Sequence, residues 1–209
     1  MKALRIARAI TKKDKIVMVS GSWHGSVDEL LYTSYDKKCK KQKILSNGLV
    51  NNKNTIVIPY NDYKISKKIL DKNKKKIAML IMEPIQQSVP QVKNEKFVKL
   101  IYKYCKKNNI LVCFDEMITG LRLPEFSTYK KLKTTPDIIT FGKIFGGGVP
   151  IGIIGITKKV EKQLSKKQNS VFFGGTYSLN PLSSYLGLKT IEYILKNKNQ
   201  IYSKLDKLS

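Results

Sequence analysis

Two stretches decide the fold of this chain: FDEMITGLR, residues 114–122, and PDIITFGKIFGGGVPIG, residues 136–152. The apolar runs at residues 110–114 and 137–141 are short and rich in β-branched and aromatic side chains. Such runs predict buried strands rather than helices. Asp115 and Lys143 follow them, so we expect both at the carboxyl ends of parallel strands, where open α/β sheets bind ligands. A carboxylate and an amine brought together there suit chemistry on an amine, provided that a cofactor supplies an electron sink.

Helices and strands alternate along the rest of the chain. Besides the two runs above, we predict strands at residues 16–19, 55–59, 77–83 and 151–156. We predict helices at residues 2–10, 27–32, 65–71, 94–107, 158–166 and 181–195, the last with Asn180 as N-cap and Pro181 in its first turn. A polar stretch rich in Lys and Asn reaches residue 53. This alternation predicts right-handed βαβ crossovers and a three-layer α/β fold, a mostly parallel sheet flanked by helices.

The length and composition indicate one domain with its own core. The chain has 209 residues, of which 42% are hydrophobic, and its mean hydropathy is −0.27. No apolar run approaches the roughly 18–20 residues that span a bilayer, and the basic, amphipathic N-terminus lacks the apolar core of a secretory signal. The three cysteines, Cys39, Cys105 and Cys113, have no C-x-x-C spacing and indicate reduced thiols. We therefore expect a cytoplasmic protein without a membrane partner, an organelle transit peptide being the alternative.

The formal net charge of +25 raises the question of a nucleic-acid partner. Of the 40 basic residues only Arg5, Arg8 and Arg122 are arginine, the residue whose bidentate fork reads bases and phosphates. The lysines are spread along the whole chain without interleaved aromatic residues for base stacking. We therefore predict solvated basic faces and no specific nucleic-acid partner.

Several motifs occur together in a recognisable order. They are MKALRIARAITKKDKIV at residues 1–17, GSWHG at 21–25, IMEP at 81–84, the two opening stretches, and GGTYSLNPLSS at 174–184. With them the chain resembles the class III pyridoxal-phosphate-dependent aminotransferases, and among these the glutamate-1-semialdehyde 2,1-aminomutase branch. The resemblance implies the large domain of fold type I, a homodimer, and pyridoxal 5'-phosphate as cofactor. It also implies amino transfer between carbons two and one of a glutamate-derived aldehyde, for tetrapyrrole synthesis; a class III transaminase acting on another aldehyde or keto-sugar is the alternative.

The resemblance also implies roles for single residues. Lys143 matches the lysine that binds the cofactor aldehyde and then moves a proton on the substrate. Asp115 matches the aspartate that keeps the pyridine nitrogen protonated. Trp23 matches an aromatic residue stacked on one face of the ring, and Met117 would pack on the other. For these residues the alternatives are a surface lysine, a structural carboxylate and two core side chains.

Three further residues carry weaker implications. His24, beside Trp23, and Glu83, at the end of the IMEP strand, are expected near the cofactor, although a lone histidine is weak evidence. Thr176 matches the residue that reaches the cofactor phosphate of the neighbouring subunit, with glycines before it that let the backbone approach an anion; an ordinary turn is the alternative. Glu116 would point away from Asp115 on a strand, and we interpret it as structural.

The chain also departs from the family. The Ser-Gly-Thr turn that holds the phosphate in the family lies upstream of the helix at residues 2–10 and is not among these residues. We therefore expect residues 1–209 to be part of the large domain, without the N-terminal segment and the C-terminal small domain. We also expect them to bind the cofactor weakly or not at all on their own. A remnant or a split-gene partner is the non-enzymatic alternative. Ile118 replaces the glutamine of many class III transaminases, which favours the aminomutase branch.

Overall fold

A computed structural model describes residues 1–35, 42–44, 46–49, 53–90 and 93–208. The helices are α1 (Lys2–Thr11), α2 (Tyr63–Asn73), α3 (Glu95–Lys107), α4 (Thr128–Leu132), α5 (Lys158–Leu164), α6 (Pro181–Lys196) and α7 (Lys198–Leu208). The strands are β1 (Lys15–Val19), β2 (Tyr32–Tyr35), β3 (Gln42–Ile44), β4 (Thr55–Ile58), β5 (Ile77–Met82), β6 (Leu111–Asp115), β7 (Ile138–Gly142) and β8 (Gly152–Ile156). Short 3₁₀ turns occur at Asp28–Leu30, Lys143–Gly146 and Lys167–Asn169.

The main sheet has the strand order β4-β1-β5-β6-β7-β8. All neighbours pair in parallel except β8, which runs antiparallel to β7. β2 and β3 form a separate antiparallel pair. The prediction of a mostly parallel sheet flanked by helices is confirmed, and the five parallel strands bring their carboxyl ends to one edge.

Helices cover both faces of the sheet. Along β1, Val17 and Val19 join the core beneath α2 and α3, whereas Ile16 and Met18 join the core beneath α1 and α5. The alternation follows from the two-residue period of a strand. Because both faces are covered, the parallel strands read as continuous apolar runs, and IAMLIM in β5 is buried at every position. The three-layer prediction is confirmed.

Most predicted elements lie within a few residues of their observed bounds, but the helix predicted at residues 27–32 is wrong. That segment contains the Asp28–Leu30 turn and the start of β2. Leu30 and Tyr32 are both buried, a two-residue spacing that suits an extended chain, and the following YTSY favours a strand. The sequence reasoning missed α4 and α7. The polar stretch before residue 53 contains β3, and Cys39 lies outside the described residues.

The remaining cysteines are free and buried. Burial in the core raises the pKa of both the Cys105 and the Cys113 thiol well above the ordinary value. In the part of the chain that the structure describes, no helix is long and apolar enough to cross a membrane.

Candidate active site

The carboxyl edge of the parallel sheet gathers most of the predicted site residues. Trp23 and His24 follow β1, Glu83 follows β5, Asp115 ends β6, and Lys143 follows β7. The register pairs Asp115 with Thr140 of β7. From there to Lys143 the chain advances about 10 Å at the rise of a strand. The sequence prediction that Asp115 and Lys143 end two neighbouring parallel strands is confirmed.

Asp115 is buried, with 6% of its surface exposed, and both carboxylate oxygens accept hydrogen bonds. Oδ1 accepts from the backbone N–H of Met117 at 3.1 Å and from Oγ1 of Thr140 at 3.0 Å. Oδ2 lies 2.7 Å from Nδ1 of His24. Burial by itself would raise the pKa of Asp115, but the His24 contact and the two hydrogen bonds to Oδ1 outweigh it, so the net pKa is lowered. The site therefore holds an ionised carboxylate in a fixed orientation.

His24 is held beside this carboxylate. Its side chain is only 1% exposed. An ionised carboxylate can only accept, so the contact assigns the Nδ1 proton of His24 as the one donated to Asp115. Nε2 is buried and has no hydrogen-bond partner among the described residues. The structure thus brings His24 and Asp115 into direct contact, with the second ring nitrogen of His24 left to a further group.

Glu83 holds the backbone of the loop after β1. Its Oε1 accepts from the Trp23 N–H at 2.6 Å, and its Oε2 accepts from the Gln87 N–H at 2.8 Å. Burial raises the pKa of Glu83, and the two backbone hydrogen bonds oppose that rise. Trp23 itself is 43% exposed, so it does not fill the core. An indole exposed to this extent is accessible to a planar ligand.

Met117 lies against the turn that carries Lys143. A Cβ built on Gly142 would come within 2.5 Å of Cε and 2.9 Å of Sδ of Met117, a space that only glycine leaves open. Lys143 follows at φ 50°, the left-handed region, and its side chain is exposed. A non-glycine residue there costs about 1–2 kcal/mol. Strain of this kind is often kept at functional positions.

Thr176 lies in the segment between α5 and α6. This segment is exposed, and Oγ of Ser178 in it accepts a hydrogen bond from Nζ of Lys2 at 3.2 Å. Among the described residues, no hydrogen bond joins Thr176 to Asp115, and none joins it to Lys143. Its predicted role in a neighbouring subunit stays a prediction.

Sequence reasoning missed two polar residues that support the site. Thr140 donates a hydrogen bond to Asp115. It is the one polar residue in the otherwise apolar run IITF, and this could have pointed to it. Gln86 is buried and its Nε2 donates to the Ser20 carbonyl at 2.7 Å and to Oγ of Ser22 at 2.9 Å, which fixes the loop before Trp23. Only the fold reveals this contact. Glu116 is fully buried, and its carboxylate accepts hydrogen bonds from Oγ of Ser127 and from the Thr128 N–H.

The arrangement has a definite chemical capacity. An exposed amine on a strained turn can bond to a carbonyl, while a buried ionised carboxylate can stabilise a protonated ring nitrogen. Trp23 and Met117 supply an aromatic and a thioether surface for a planar group. Within the described ranges, no group of three or more His, Cys, Asp or Glu side chains could hold a metal ion.

Comparison with known proteins agrees with this geometry. The family model "Aminotransferase class-III" matches residues 1–208. Glutamate-1-semialdehyde 2,1-aminomutase of Thermosipho melanesiensis is 38% identical over 212 residues, covering 100% of this chain and 50% of that protein. The enzyme of the same name from Wigglesworthia glossinidia brevipalpis is 39% identical over 214 residues, covering 99% and 48%. The chain therefore spans about half the length of the curated relatives it matches.

Solved structures share the fold. An omega-transaminase from Sphaerobacter thermophilus superposes with a TM-score of 0.81 at 24% identity, covering 92% of this chain and 46% of that one. A glutamate-1-semialdehyde aminomutase from Pseudomonas aeruginosa PAO1, in complex with PMP, superposes with a TM-score of 0.76 at 22% identity, covering 90% and 43%.

Proposed function

Because this chain belongs to the class III aminotransferase family, we propose that it serves pyridoxal-phosphate-dependent amino-group transfer of the glutamate-1-semialdehyde 2,1-aminomutase type. The observation that carries the proposal is the hydrogen bond between His24 and Asp115, with Asp115 at the end of the strand that neighbours the one leading to Lys143. Both aminomutase relatives named above match the chain from end to end, which supports this branch. A class III transaminase acting on another aldehyde or keto-sugar is the second candidate, supported by the fold shared with an omega-transaminase.

The residues at this edge fit pyridoxal 5'-phosphate. Asp115 is ionised and keeps its oxygens in place for a protonated pyridine nitrogen. His24 adds a buried nitrogen that no described residue uses. The glycine at 142 leaves the space that Met117 occupies beside the Lys143 turn. When bound, the cofactor supplies the electron sink that amino transfer requires.

Each residue then has a definite task. Asp115, oriented by His24 and Thr140, keeps the ring nitrogen protonated. Nζ of Lys143 is the amine that would hold the aldehyde of the cofactor, and as a free amine it would carry the proton that moves on the substrate. Trp23 and Met117 would hold the cofactor ring between them, and Glu83 fixes the backbone of Trp23 through its hydrogen bond to the Trp23 N–H.

We propose that the chain works as a homodimer. From residue 172 to 185 large apolar side chains are exposed, with Leu179 93%, Tyr177 84% and Phe172 80% accessible. Apolar exposure on this scale marks an interaction surface. A second copy is the partner we propose, because Thr176 lies in this segment and would then face the neighbouring cofactor. A cytoplasmic location is proposed as well, supported by the two free, buried thiols.

A spectral titration with pyridoxal phosphate tests the proposal. We expect weak but saturable binding, because the residues assigned at this edge would act on the ring and aldehyde of the cofactor and none of them is assigned to its phosphate. The lysine-dependent absorbance band should disappear in Lys143→Arg, which keeps the charge but cannot bond to the aldehyde in the same way.

The matched control for this titration is Lys133→Arg. Lys133 is also an exposed lysine in the left-handed region, at φ 52°, but it ends α4. An unchanged band in Lys143→Arg, or an equal loss in both variants, would show that binding is adventitious and that the chain is a remnant without its own cofactor site.

A further inference from the structure

The surroundings of Glu116 are more elaborate than a local structural role requires. Glu116 is 0% exposed, and its carboxylate accepts five hydrogen bonds, here called the Glu116 cluster. The donors are Oγ1 of Thr119, Oγ of Ser127, the N–H and Oγ1 of Thr128, and the N–H of Tyr129.

All five donors are neutral hydroxyl or backbone N–H groups. A buried carboxylate is costly unless its hydrogen bonds are complete. Capping the five-residue helix α4 would not need a buried carboxylate, because the hydroxyl of an N-cap serine can itself accept hydrogen bonds from the backbone N–H groups of the first turn. Ser127, the N-cap of α4, instead donates its hydroxyl to Glu116. The carboxylate therefore ties the helix to something beyond itself.

That second element is the loop at residues 117–121, which follows Glu116 directly. Oγ1 of Thr119 reaches back to Oε2 of Glu116 at 2.9 Å, and the Gly120 N–H donates to the Glu116 carbonyl at 2.9 Å. The side chain and the backbone of Glu116 thus both close this loop into one turn.

The loop contacts the lysine turn on both sides of Lys143. A Cβ on Gly120 would come within 2.8 Å of the rings of both Phe141 and Phe145, so the bare backbone of the loop packs on these rings. Before Lys143 in the chain, the side chain of Met117 fills the space next to Gly142. The loop that Glu116 holds therefore packs against Gly142, directly before Lys143, and against Phe145, two residues after it.

We propose that Glu116 is a positioning residue that holds the turn carrying Lys143, acting through the loop at residues 117–121. Lys143 is kept at φ 50°, a conformation that relaxes unless its neighbours fix it. The inference rests on the proposed function only for its consequence, that the amine of Lys143 stays aimed at the cofactor.

Two variants break the cluster to different extents. In Glu116→Gln, the N–H groups of Thr128 and Tyr129 point at different carboxylate oxygens, so one of them would face the amide NH₂, donor against donor. Thr119→Val is nearly isosteric and removes only the hydroxyl that links the loop to Glu116.

Asp137→Asn is the matched structural control. Asp137 is also a buried carboxylate, and it accepts from Nζ of Lys106 at 2.7 Å and from the Val112 N–H at 2.9 Å. It lies at the opposite end of β7 from Lys143. Its replacement therefore lowers stability without touching the lysine turn.

Amide hydrogen exchange of the cofactor-free chain tests the inference. Exchange in residues 142–147 should accelerate about tenfold in Glu116→Gln, the factor that corresponds to losing one hydrogen bond to a charged group. Thr119→Val should show a smaller acceleration in the same peptide, and Asp137→Asn none beyond its effect on the whole chain. Equal acceleration in Thr119→Val and Asp137→Asn, or none in Thr119→Val, would overturn the inference, and this comparison remains available even if Glu116→Gln does not fold.

A second readout is the affinity for pyridoxal phosphate in the spectral titration. It should fall in Glu116→Gln and Thr119→Val more than in Asp137→Asn. If exchange shows the coupling while the unaltered chain gives no Lys143-dependent band, the proposed function fails and the positioning role of Glu116 stands. If the band forms normally and exchange is unaffected, the positioning role fails alone.

Discussion

The backbone strain at Lys143 predicts that this residue costs the protein stability. At φ 50° a side chain with a Cβ is less stable than glycine by about 1–2 kcal/mol. Glycine gives back part of that gain, about 0.5–1 kcal/mol, through its greater freedom in the unfolded chain. Lys143→Gly should therefore raise the free energy of unfolding by about 0.75 kcal/mol, the middle of a range from about 0 to 1.5 kcal/mol. Lys143→Ala keeps the Cβ, and hence the strain, and should leave stability nearly unchanged.

Urea denaturation measures this difference. For a chain of this size a gain of 1 kcal/mol corresponds to a rise in melting temperature of about 2–4 °C, which gives an independent check. Lys133→Gly is the control, because Lys133 has nearly the same φ, 52°, and is equally exposed. It should be stabilised by a similar amount.

The two glycine variants should differ in function. Lys143→Gly gains stability and loses the cofactor band, whereas Lys133→Gly gains stability and keeps it. If Lys143→Gly is no more stable than Lys143→Ala, the lysine is not strained, and the argument that this turn is held against its preference fails.

Three further predictions concern the carboxylate, the tryptophan and the exposed apolar segment. The lowered pKa of Asp115 contributes stability above its unfolded pKa of about 3.9. Urea unfolding should therefore show Asp115→Asn to be about 2 kcal/mol less stable than the unaltered protein at pH 7, and this difference should close as the pH falls through the folded pKa. A difference that stays unchanged down to about pH 3 would contradict the assigned charge. Trp23 is the only tryptophan, so pyridoxal phosphate should quench the protein fluorescence saturably. In the spectral titration, Trp23→Ala should weaken binding about tenfold, and Trp23→Phe should weaken it less. Equal affinities of the two variants and the unaltered protein would show that Trp23 does not belong to the site. Leu179→Asp should shift a sedimenting dimer toward monomer, because it places a charge in the exposed apolar segment, whereas the same change at the exposed Leu208 should not; no shift, or an equal one, would place the interface elsewhere.

Much of the fold could be predicted because short range patterns decide it. The runs that form β5, β6 and β7 carry apolar side chains on both faces of the strand. This pattern is typical of parallel strands in a sheet that helices cover on both faces. Asn180 and Pro181 marked the start of α6 correctly, and the Asn180 side chain accepts from Ser183 N–H. The helix prediction for residues 27–32 was wrong. Their acidic start is typical of a helix, but the burial of alternate residues, Leu30 and Tyr32, favours an extended chain.

The supporting contacts of the site could not be predicted, because residues distant in sequence make them. Helix α4 was missed since its five residues carry a weak pattern, and the carboxylate of Glu116 stabilises its first turn. The bond between His24 and Asp115 joins residues 91 positions apart. The positive φ of Lys143 has no signal in the letters GKIF. The sequence could therefore suggest which residues react, but not the network of hydrogen bonds around them.

The central claim is that Lys143 differs from every other lysine of this basic chain. Its most direct test is to reduce the unaltered protein with borohydride in the presence of limiting pyridoxal phosphate and to map the modified lysines by peptide mass spectrometry. We expect the cofactor to be captured on Lys143 first and saturably, with Lys133 and the lysines of α2 and α3 modified only at excess. Capture spread evenly over the exposed lysines, with no preference for Lys143, would contradict it.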